Sequence, residues 1–393
     1  MKELVNLFNG FANTKFGIGT GILAFIFGTG FLITNERDFK RTYDTINEAE
    51  SVVVEAKDVN LLDAQLEGKL IYGVSKTQTD DTLTDELFEV AINAVKLVRN
   101  VEYYQWVEKE STETYEDSDG DTHSETTYTY NKEWSDKPVN SNQFNRPQSY
   151  TNTVLLEIED RTVYADLVRW GAYKLPPFLK SKIDGDTSIT VELSKEKKAE
   201  WENTLRQRYK QSENRDKREY LHVAKANSTV YLGINPDSPE IGDVRITIKH
   251  IPPGSDLSII AQVQGNTFTE YTAKNGNTFF SIKNKIVPMK HMFIDEHISN
   301  TAYAWWYRLL GFLCVSFAFR CMFNLLTTLF LKIPVLGNIL NVGIKMVCFV
   351  LGFVWSSVVI AVAYMFYRPI TGAIILVVAV VAFLLLKRKG KTA

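Results

Sequence analysis

Long apolar segments constrain this chain more than any other feature of its sequence. A helix needs about 20 apolar residues to cross the hydrocarbon core of a bilayer. Segments of this kind occupy residues 16–34, 302–331, 346–366 and 370–386. The sequence therefore predicts an α-helical membrane protein with four spans, one before and three after a long polar region.

The first apolar segment carries no charge between Phe16 and Ile33, and Asn35-Glu36-Arg37-Asp38 follows it. Because no small-residue cleavage site comes next, we interpret the segment as an uncleaved signal anchor. Small residues let transmembrane helices approach each other closely. Gly28 and Gly30 are therefore predicted to be helix-packing residues.

The second apolar segment can be placed in two ways because it contains Arg320. If the span begins at residue 302, with Trp305-Trp306-Tyr307 in the interfacial belt, Arg320 lies near the opposite headgroups and the rest of the segment is interfacial. If the span runs from Leu309 to Leu331, Arg320 lies at mid-bilayer, where a charge is costly. We favour the first placement, in which Arg320 is a topology signal or a lipid-headgroup residue.

Short basic segments predict the orientation, because positively charged loops stay in the cytosol. The tail, residues 387–393, and the connection at residues 332–345 carry such charges. Four spans place both termini in the cytosol, including residues 1–15. Residues 35–301 then lie outside the cell or in an organelle lumen, and Arg368 is the single exception to the charge rule.

Residues 35–301 are predicted to form one β-rich α+β domain that is barrel-like or sandwich-like. Two arms rich in Thr, Tyr and Trp flank Asp119-Gly120, so Lys96 to Trp134 is predicted to be a β-hairpin. Other predicted strands are Ser51–Ala56, Gly68–Tyr72, Val154–Ile158, Thr162–Tyr164, Ser228–Leu232, Val244–His250, Leu257–Gln264 and Phe268–Thr272.

A highly charged segment at about residues 194–222 is predicted to be a helical insertion in this domain. Trp201, Leu205 and Tyr209 recur at the spacing of one helical turn. The low apolar content nevertheless predicts an exposed helix rather than a part of the core.

Composition argues against two classes of site. The formal charge is −2 with no strongly basic region, so no nucleic-acid partner is expected. The three cysteines, Cys314, Cys321 and Cys348, all lie in apolar segments. The polar domain therefore has neither a disulfide framework nor a zinc site built on cysteine.

Two polar clusters are candidate metal sites. The acidic hairpin tip, residues 116–121, has its glycine too early for an EF-hand loop, so a solvated turn is favoured over a calcium site. His291, Asp295, Glu296 and His297 lack the spacing of a zinc site, so a polar juxtamembrane segment is favoured. No nucleophile elbow, phosphate loop or dinucleotide motif is present, and no catalytic residue or cofactor is predicted.

Four blocks of sequence resemble the LUMA family of transmembrane proteins, also called the transmembrane protein 43 family. They are Val101–Glu108 (VEYYQWVE), Tyr128–Trp134 (YTYNKEW), Asn235–Arg245 (NPDSPEIGDVR) and Phe366–Pro369 (FYRP). Their order and the arrangement of one span plus three also match, so the resemblance covers nearly the whole chain. By this resemblance, the acidic hairpin tip and the charged segment are expected to be variable parts of the family, so the resemblance transfers no particular partner to this chain.

The resemblance implies a non-enzymatic membrane protein that associates with itself and with other membrane proteins. Animal members of the family are expected in the endoplasmic reticulum and the inner nuclear membrane, and bacteria carry similar proteins in the cell membrane. The favoured hypothesis is a self-associating scaffold that organises membranes or membrane-protein complexes. The alternative is a lipid- or ligand-responsive sensor that uses Arg320.

Overall fold

The computed structural model describes residues 17–116, 122–153, 156–209, 221–224, 229–330 and 337–369. Its helices are α1 (Gly17–Val52), the short α2 (Pro177–Lys180), α3 (Lys195–Tyr209), α4 (Met289–Phe330) and α5 (Gly337–Tyr367). Helices α1 and α4 are much longer than a single membrane span needs. Both extend from the predicted membrane region into the β-rich domain.

The strands between α1 and α4 are mostly short. They are β1 (Val54–Glu55), β2 (Leu70–Gln78), β3 (Thr82–Asp85), β4 (Val90–Asn93), β5 (Lys96–Glu116), β6 (Thr122–Ser135), β7 (Arg161–Tyr164), β8 (Arg169–Trp170), β9 (Tyr173–Lys174), β10 (Thr187–Ser188), β11 (Leu221–Ala224), β12 (Thr229–Leu232), β13 (Val244–Ile251), β14 (Asp256–Gln264), β15 (Thr267–Thr269), β16 (Tyr271–Thr272), β17 (Thr278–Phe279) and β18 (Ser281–Lys283).

Two larger sheets enclose the main core in a barrel-like arrangement, which confirms the β-rich class. One sheet has the order β15-β14-β2-β8-β9, with β1 beside β2 and β18 beside β14. The other has the order β11-β12-β13-β5-β6, with β10 beside β13 and β7 beside β5. Strand β1 runs parallel to β2, and the other pairs in these two sheets are antiparallel.

The side-chain alternation of the strands explains the burial of both faces of the first sheet. Successive residues of a strand point to opposite faces. Ile71 of β2 and Ile259 of β14 point into the main core, together with Val244 and Ile246 of the second sheet. Their neighbours Leu70, Tyr72 and Ile260 point the other way, into a second core.

The second core joins the β-domain to the long helices. It combines the outer face of the first sheet with residues from the domain ends of α1 and α4, including Ile46, Ala49, Met292 and Phe293. Burial on both sides of the sheet explains the consecutive apolar residues Leu70–Tyr72 in β2 and Ile259–Ala261 in β14. The helices are therefore packed onto the domain rather than linked to it by a free loop.

The predicted hairpin is confirmed as the β5–β6 pair. Its register runs from Tyr103 opposite Ser135 to Glu116 opposite Thr122. Cross-strand aromatic pairs stabilise such ladders, and here Tyr104 and Trp134 have ring centroids 5.2 Å apart. The tip, including Asp119-Gly120, lies outside the described residues.

Three of the four family-like blocks meet at the base of this hairpin. Arg245 of β13 binds the Glu102 carboxylate of β5 in a bidentate pair at 2.6 and 2.7 Å. Its guanidinium also stacks on Trp134 of β6, 4.4 Å from the ring centre. The buried Asp243 accepts hydrogen bonds from the Tyr231 hydroxyl and the Glu240 amide. Burial, and then the hydrogen bond to Asp243, raise the pKa of Tyr231.

The charged helix α3 is not simply exposed, as its composition predicts. Trp201 is 7% and Leu205 0% exposed, and both belong to the main core. Residues four apart lie on one helical face, so two apolar side chains are enough to anchor an otherwise charged helix. The prediction of a helix was right for Lys195–Tyr209, whereas its separation from the core was wrong.

Glu89 fixes the start of α3. Its carboxylate accepts hydrogen bonds from the Ser194 amide at 2.6 Å and from the Ser194 hydroxyl at 2.9 Å. The Ser194 hydroxyl in turn accepts from the Lys197 amide at 3.0 Å, as an N-cap does. The hydrogen bond from the Ser194 amide is the main cause that lowers the pKa of Glu89.

Two strand predictions require correction. In the segment Val154–Ile158, the described residues 156–158 form no strand, because the Ile158 backbone bonds to the Tyr103 hydroxyl instead of a neighbouring strand. In the segment Ser51–Ala56, α1 continues to Val52, and only Val54 and Glu55 form a strand. The predicted strands near residues 70, 162, 230, 246, 260 and 268 are all present, with shifted ends.

Candidate functional site

The most distinctive cluster of side chains lies where α1, α4 and α5 leave the apolar bundle and meet the domain. We call it the helix junction, and it consists of Asn35, Glu36, Phe39, Arg308 and Arg368. Each of these residues lies near the end of a predicted span, at the domain side of the bundle. Charged groups are least costly at such a boundary, where water and lipid headgroups are within reach.

Glycines in the bundle set the close approach of the three helices that lead to this junction. Gly21 and Gly28 of α1 face α4, where an added Cβ would lie 3.0 Å from the nearest Cys321, Met322 or Val315 atom. Gly352 of α5 lies against Ser316 of α4. Gly28 therefore lies in close contact with α4 of the same chain, whereas an added Cβ at Gly30 would meet no atom of the described residues within 4 Å.

Glu36 and Arg308 form a buried, bidentate ion pair between α1 and α4. The guanidinium nitrogens lie 2.6 and 2.9 Å from the two carboxylate oxygens. The Glu36 side chain is 1% exposed and that of Arg308 13%. A bidentate pair fixes geometry as well as charge, so it sets both the spacing and the rotation of the two helices at this level.

Backbone contacts reinforce the pairing of α1 with α4. The Asn35 amide donates a hydrogen bond to the Ala304 carbonyl at 3.2 Å, and the Asn300 amide donates to the Phe39 carbonyl at 3.1 Å. The Arg308 guanidinium also lies 4.9 Å from the Trp305 ring centre and 5.5 Å from that of Phe39. Aromatic faces stabilise a cation that is partly removed from water.

On the domain side of the junction, the turn at residues 273–277 forms hydrogen bonds with α1. Arg41 donates to the Asn275 carbonyl at 2.7 Å, and the Asn275 amide donates back to the Arg41 carbonyl at 2.9 Å. Glu48 accepts from the Tyr271 hydroxyl at 2.8 Å. Burial, followed by this bond and the charge of Glu48, raises the pKa of Tyr271 to about 12. The turn that contains Asn275-Gly276-Asn277 therefore docks the domain onto α1.

Arg368 is the α5 side of the junction and directly follows the last residue of that helix. Its guanidinium lies 4.6 Å from the ring centres of Phe39 and Tyr364, and 5.8 Å from that of Tyr43. This residue is the one exception to the predicted charge asymmetry. Contact with three aromatic rings explains how a cation is accommodated there.

A cavity of about 670 Å³ opens beside the junction, between α1, α4 and the β17 strand. Its wall is mixed, with aromatic rings such as Phe31 and Tyr307 on the membrane side and polar groups such as Asp38 and Asn300 on the domain side. A concave wall of aromatic rings with a few polar groups has the general form of a binding pocket.

Two of the residues singled out by sequence lie away from the junction. Arg320 is half-buried on α4. Two residues of the same helical turn, Ala318 and Cys321, lie against Gly21 of α1. Arg320 follows Arg308 by 12 residues, so the two arginines are separated by about 18 Å along the helix. Gly30 lies on a face of α1 that is exposed among the residues described by the structure.

The His291–His297 segment forms part of α4, next to the domain. Lys283 approaches Asp295 at 3.4 Å and Glu296 at 3.7 Å, and His297 packs on Tyr43 with ring centres 4.9 Å apart. Within the residues that the structure describes, no three His, Cys, Asp or Glu side chains gather in a possible metal site.

Sequence reasoning missed the central pair of the junction, Glu36 and Arg308. Glu36 was grouped with the polar residues that end the first span, and Arg308 was hidden among the interfacial aromatics of the second. A usable signal was present, because opposite charges stand at the domain-side ends of two predicted antiparallel spans. Such charges are expected to pair when they are withdrawn from water.

In the described part of the chain, Met289–Phe323 and Ile344–Tyr367 are the helices long and apolar enough to cross a membrane. The predicted first span, residues 16–34, is not one of these two helices, and segment 370–386 lies outside the described residues, so four spans remain a prediction. No solved structure matches the chain.

Relatives of known sequence cover almost all of it. The mouse protein "Transmembrane protein 43" is 27% identical over 96% of this chain and 91% of its own length. The human protein of that name is 25% identical over the same shares, and the Drosophila melanogaster homolog is 26% identical over 91% and 90%. The family model "Transmembrane protein 43" matches residues 103–369, which include the paired part of the hairpin, the Asp243 network, and Arg308 and Arg368 of the helix junction. The chain therefore belongs to the transmembrane protein 43 family.

Proposed function

We propose that this protein is a non-enzymatic membrane scaffold that associates with itself and with other membrane proteins through its spans and holds its β-domain at a fixed position above the bilayer. The observation that carries the proposal is a face of α1 that no described residue covers. Gly30 lies on this face, where an added Cβ would meet no described atom within 4 Å, beside Phe27, whose side chain is 68% exposed. A small residue between large apolar ones is a favourable contact for a second transmembrane helix.

The helix junction supports this proposal because it makes the domain rigid relative to the spans. The ion pair of Glu36 with Arg308, the docking turn at Asn275 and the second core all act on the same two helices. Association of the spans would then set the spacing of the domains. A scaffold needs this coupling, whereas flexible linkers would lose it.

The proposed topology has four spans, both termini in the cytosol, and the β-domain outside the cell or in an organelle lumen. For the second span, the charges at Glu36 and Arg308 support a start near Leu309, with Arg320 inside the bilayer. This is the placement that sequence alone disfavoured. The membrane would be the cell membrane in bacteria, and the endoplasmic reticulum or inner nuclear membrane in eukaryotes.

Substitution of Gly30 by Leu is expected to lower the number of copies per particle, measured as the mass of the protein extracted in native lipid discs. A Leu side chain at this position would hold a second helix away from the α1 backbone. Gly28→Leu is the matched variant, two residues away on the same helix. It is expected to destabilise the single chain, because Val315 and Cys314 already lie 3.0 to 3.3 Å from its Cβ position.

If Gly30→Leu left the number of copies per particle unchanged, this face of α1 would not be part of the interface between copies. A natural chain that is a monomer in native discs would contradict the scaffold proposal itself. In that case, the alternative of a lipid-responsive sensor at Arg320 would be favoured, and Arg320→Leu should reduce the retention of anionic lipids.

A further inference from the structure

Carboxylates on α1 near the end of α5 are paired with other basic groups. Glu36 pairs with Arg308, Asp38 with Arg37, and Asp44 with Lys40. Arg368 forms no ion pair in the part of the chain that the structure describes, although it contacts Phe39 and Tyr43 on the same stretch of α1. No described carboxylate therefore neutralises its charge at this point of the membrane boundary.

The position of this charge is unusual for two reasons. It lies on the side of the membrane where the orientation predicts few basic residues, so it serves poorly as a topology signal. It is also held firmly, with Phe39, Tyr364 and Tyr43 on its flanks. Ordering a long, flexible Arg side chain costs free energy, and a fixed guanidinium is the arrangement used to bind an anion.

A cavity of about 520 Å³ adjoins the guanidinium. It is lined by Phe39, Lys40, Tyr43, Tyr364, Tyr367 and Arg368. Its charged lining groups are Lys40, which is already paired with Asp44, and Arg368, which is not paired with a described carboxylate, and its three tyrosines offer hydroxyl donors. The ligand that fits this lining has negatively charged oxygens, such as a phosphate group.

The surroundings identify the source of the phosphate. Arg368 follows the apolar helix α5 directly, at the level where phospholipid headgroups lie. The α5 side chains just below it, Val362 and Phe366, are 56% and 77% exposed, so acyl chains can pack along the same helix on which the headgroup binds. We propose that Arg368 and its aromatic neighbours bind the phosphate group of a membrane phospholipid in the outer or luminal leaflet.

This site is distinct from the proposed interface on the Gly30 face and goes beyond the scaffold function. It also differs from the lipid site considered at Arg320, which lies on α4, about 18 Å along that helix from Arg308 of the junction. A lipid bound at Arg368 would touch α1 and α5 together. It would therefore stabilise the contact of the two helices at the domain side of the membrane.

The first test measures binding of dioleoylphosphatidylglycerol to the full-length, detergent-purified protein by native mass spectrometry. Dioleoylglycerol, which has the same chains and no phosphate, is the second ligand, and inorganic phosphate is the competitor. Arg368→Gln is expected to weaken phosphatidylglycerol binding about tenfold, because one charge-assisted contact to an anion is lost. Arg368→Lys should keep part of the affinity. Arg161→Gln, at an exposed position on β7, should leave it unchanged.

Equal binding by the natural chain and Arg368→Gln would overturn the proposal. Equal binding of dioleoylglycerol would also overturn it, since the phosphate would then contribute nothing. Displacement of the lipid by inorganic phosphate would instead identify a site for free anions. If Arg368→Gln fails to fold, the site is tested on the natural chain with a photo-crosslinking phosphatidylglycerol. Crosslinks within residues 39–43 and 362–369 support the site, and crosslinks only elsewhere exclude it.

Discussion

Replacing Glu36 with Gln is expected to lower the free energy of unfolding by about 3–5 kcal/mol, the usual cost of removing one partner from a buried ion pair. The variant leaves the Arg308 guanidinium, which is 13% exposed, without its compensating charge. Chemical denaturation in lipid nanodiscs measures the loss. It should also appear as faster hydrogen exchange where α1 and α4 meet the domain.

The neighbouring pair Arg37–Asp38 is a matched control on the same helix. Its side chains are 45% and 61% exposed, so Asp38→Asn should change the free energy of unfolding by less than about 1 kcal/mol. The double variant Glu36→Leu with Arg308→Leu should be more stable than Glu36→Gln, because no unpaired charge remains buried. If Glu36→Gln and Asp38→Asn changed the free energy of unfolding equally, the Glu36–Arg308 pair would not be what stabilises the junction.

Replacing Trp201 with Ala is expected to cost about 3–5 kcal/mol of domain stability, as is usual when a large aromatic side chain is removed from a core. Trp201 stacks on Phe88, with ring centres 5.8 Å apart and planes at 11°. Asn203→Ala, at an exposed position of the same helix, should change stability by less than about 0.5 kcal/mol. Similar small effects of both substitutions would show that α3 is a dispensable surface insertion.

Local patterns made the domain predictable in part. The β5–β6 hairpin follows from alternating Thr and Tyr around an Asp-Gly dipeptide, and both signals lie within about 40 residues of sequence. Helix α3 was also correctly predicted. Its burial was missed because the average composition of the segment hid the two apolar residues, Trp201 and Leu205, that share one face.

Long-range contacts were not predictable from the same patterns. Glu36 and Arg308 are separated by 272 positions in sequence, and nothing local to either residue indicates the other. The extension of α1 to Val52 was missed for a related reason. Its polar half is held as a helix by packing on the second core and on the Asn275 turn, and tertiary packing of this kind supplies most helix stability in proteins.

The central claim is that the β-domain and the basic tail lie on opposite sides of one membrane. Site-specific labelling tests it most directly, in a chain whose three cysteines, Cys314, Cys321 and Cys348, have been replaced by Ala. A membrane-impermeant maleimide is added to sealed vesicles with the cytosolic face outward. We predict that Lys391→Cys is labelled at once, and that Thr126→Cys on the hairpin is labelled only after the membrane is opened. Immediate labelling of both positions would contradict the account.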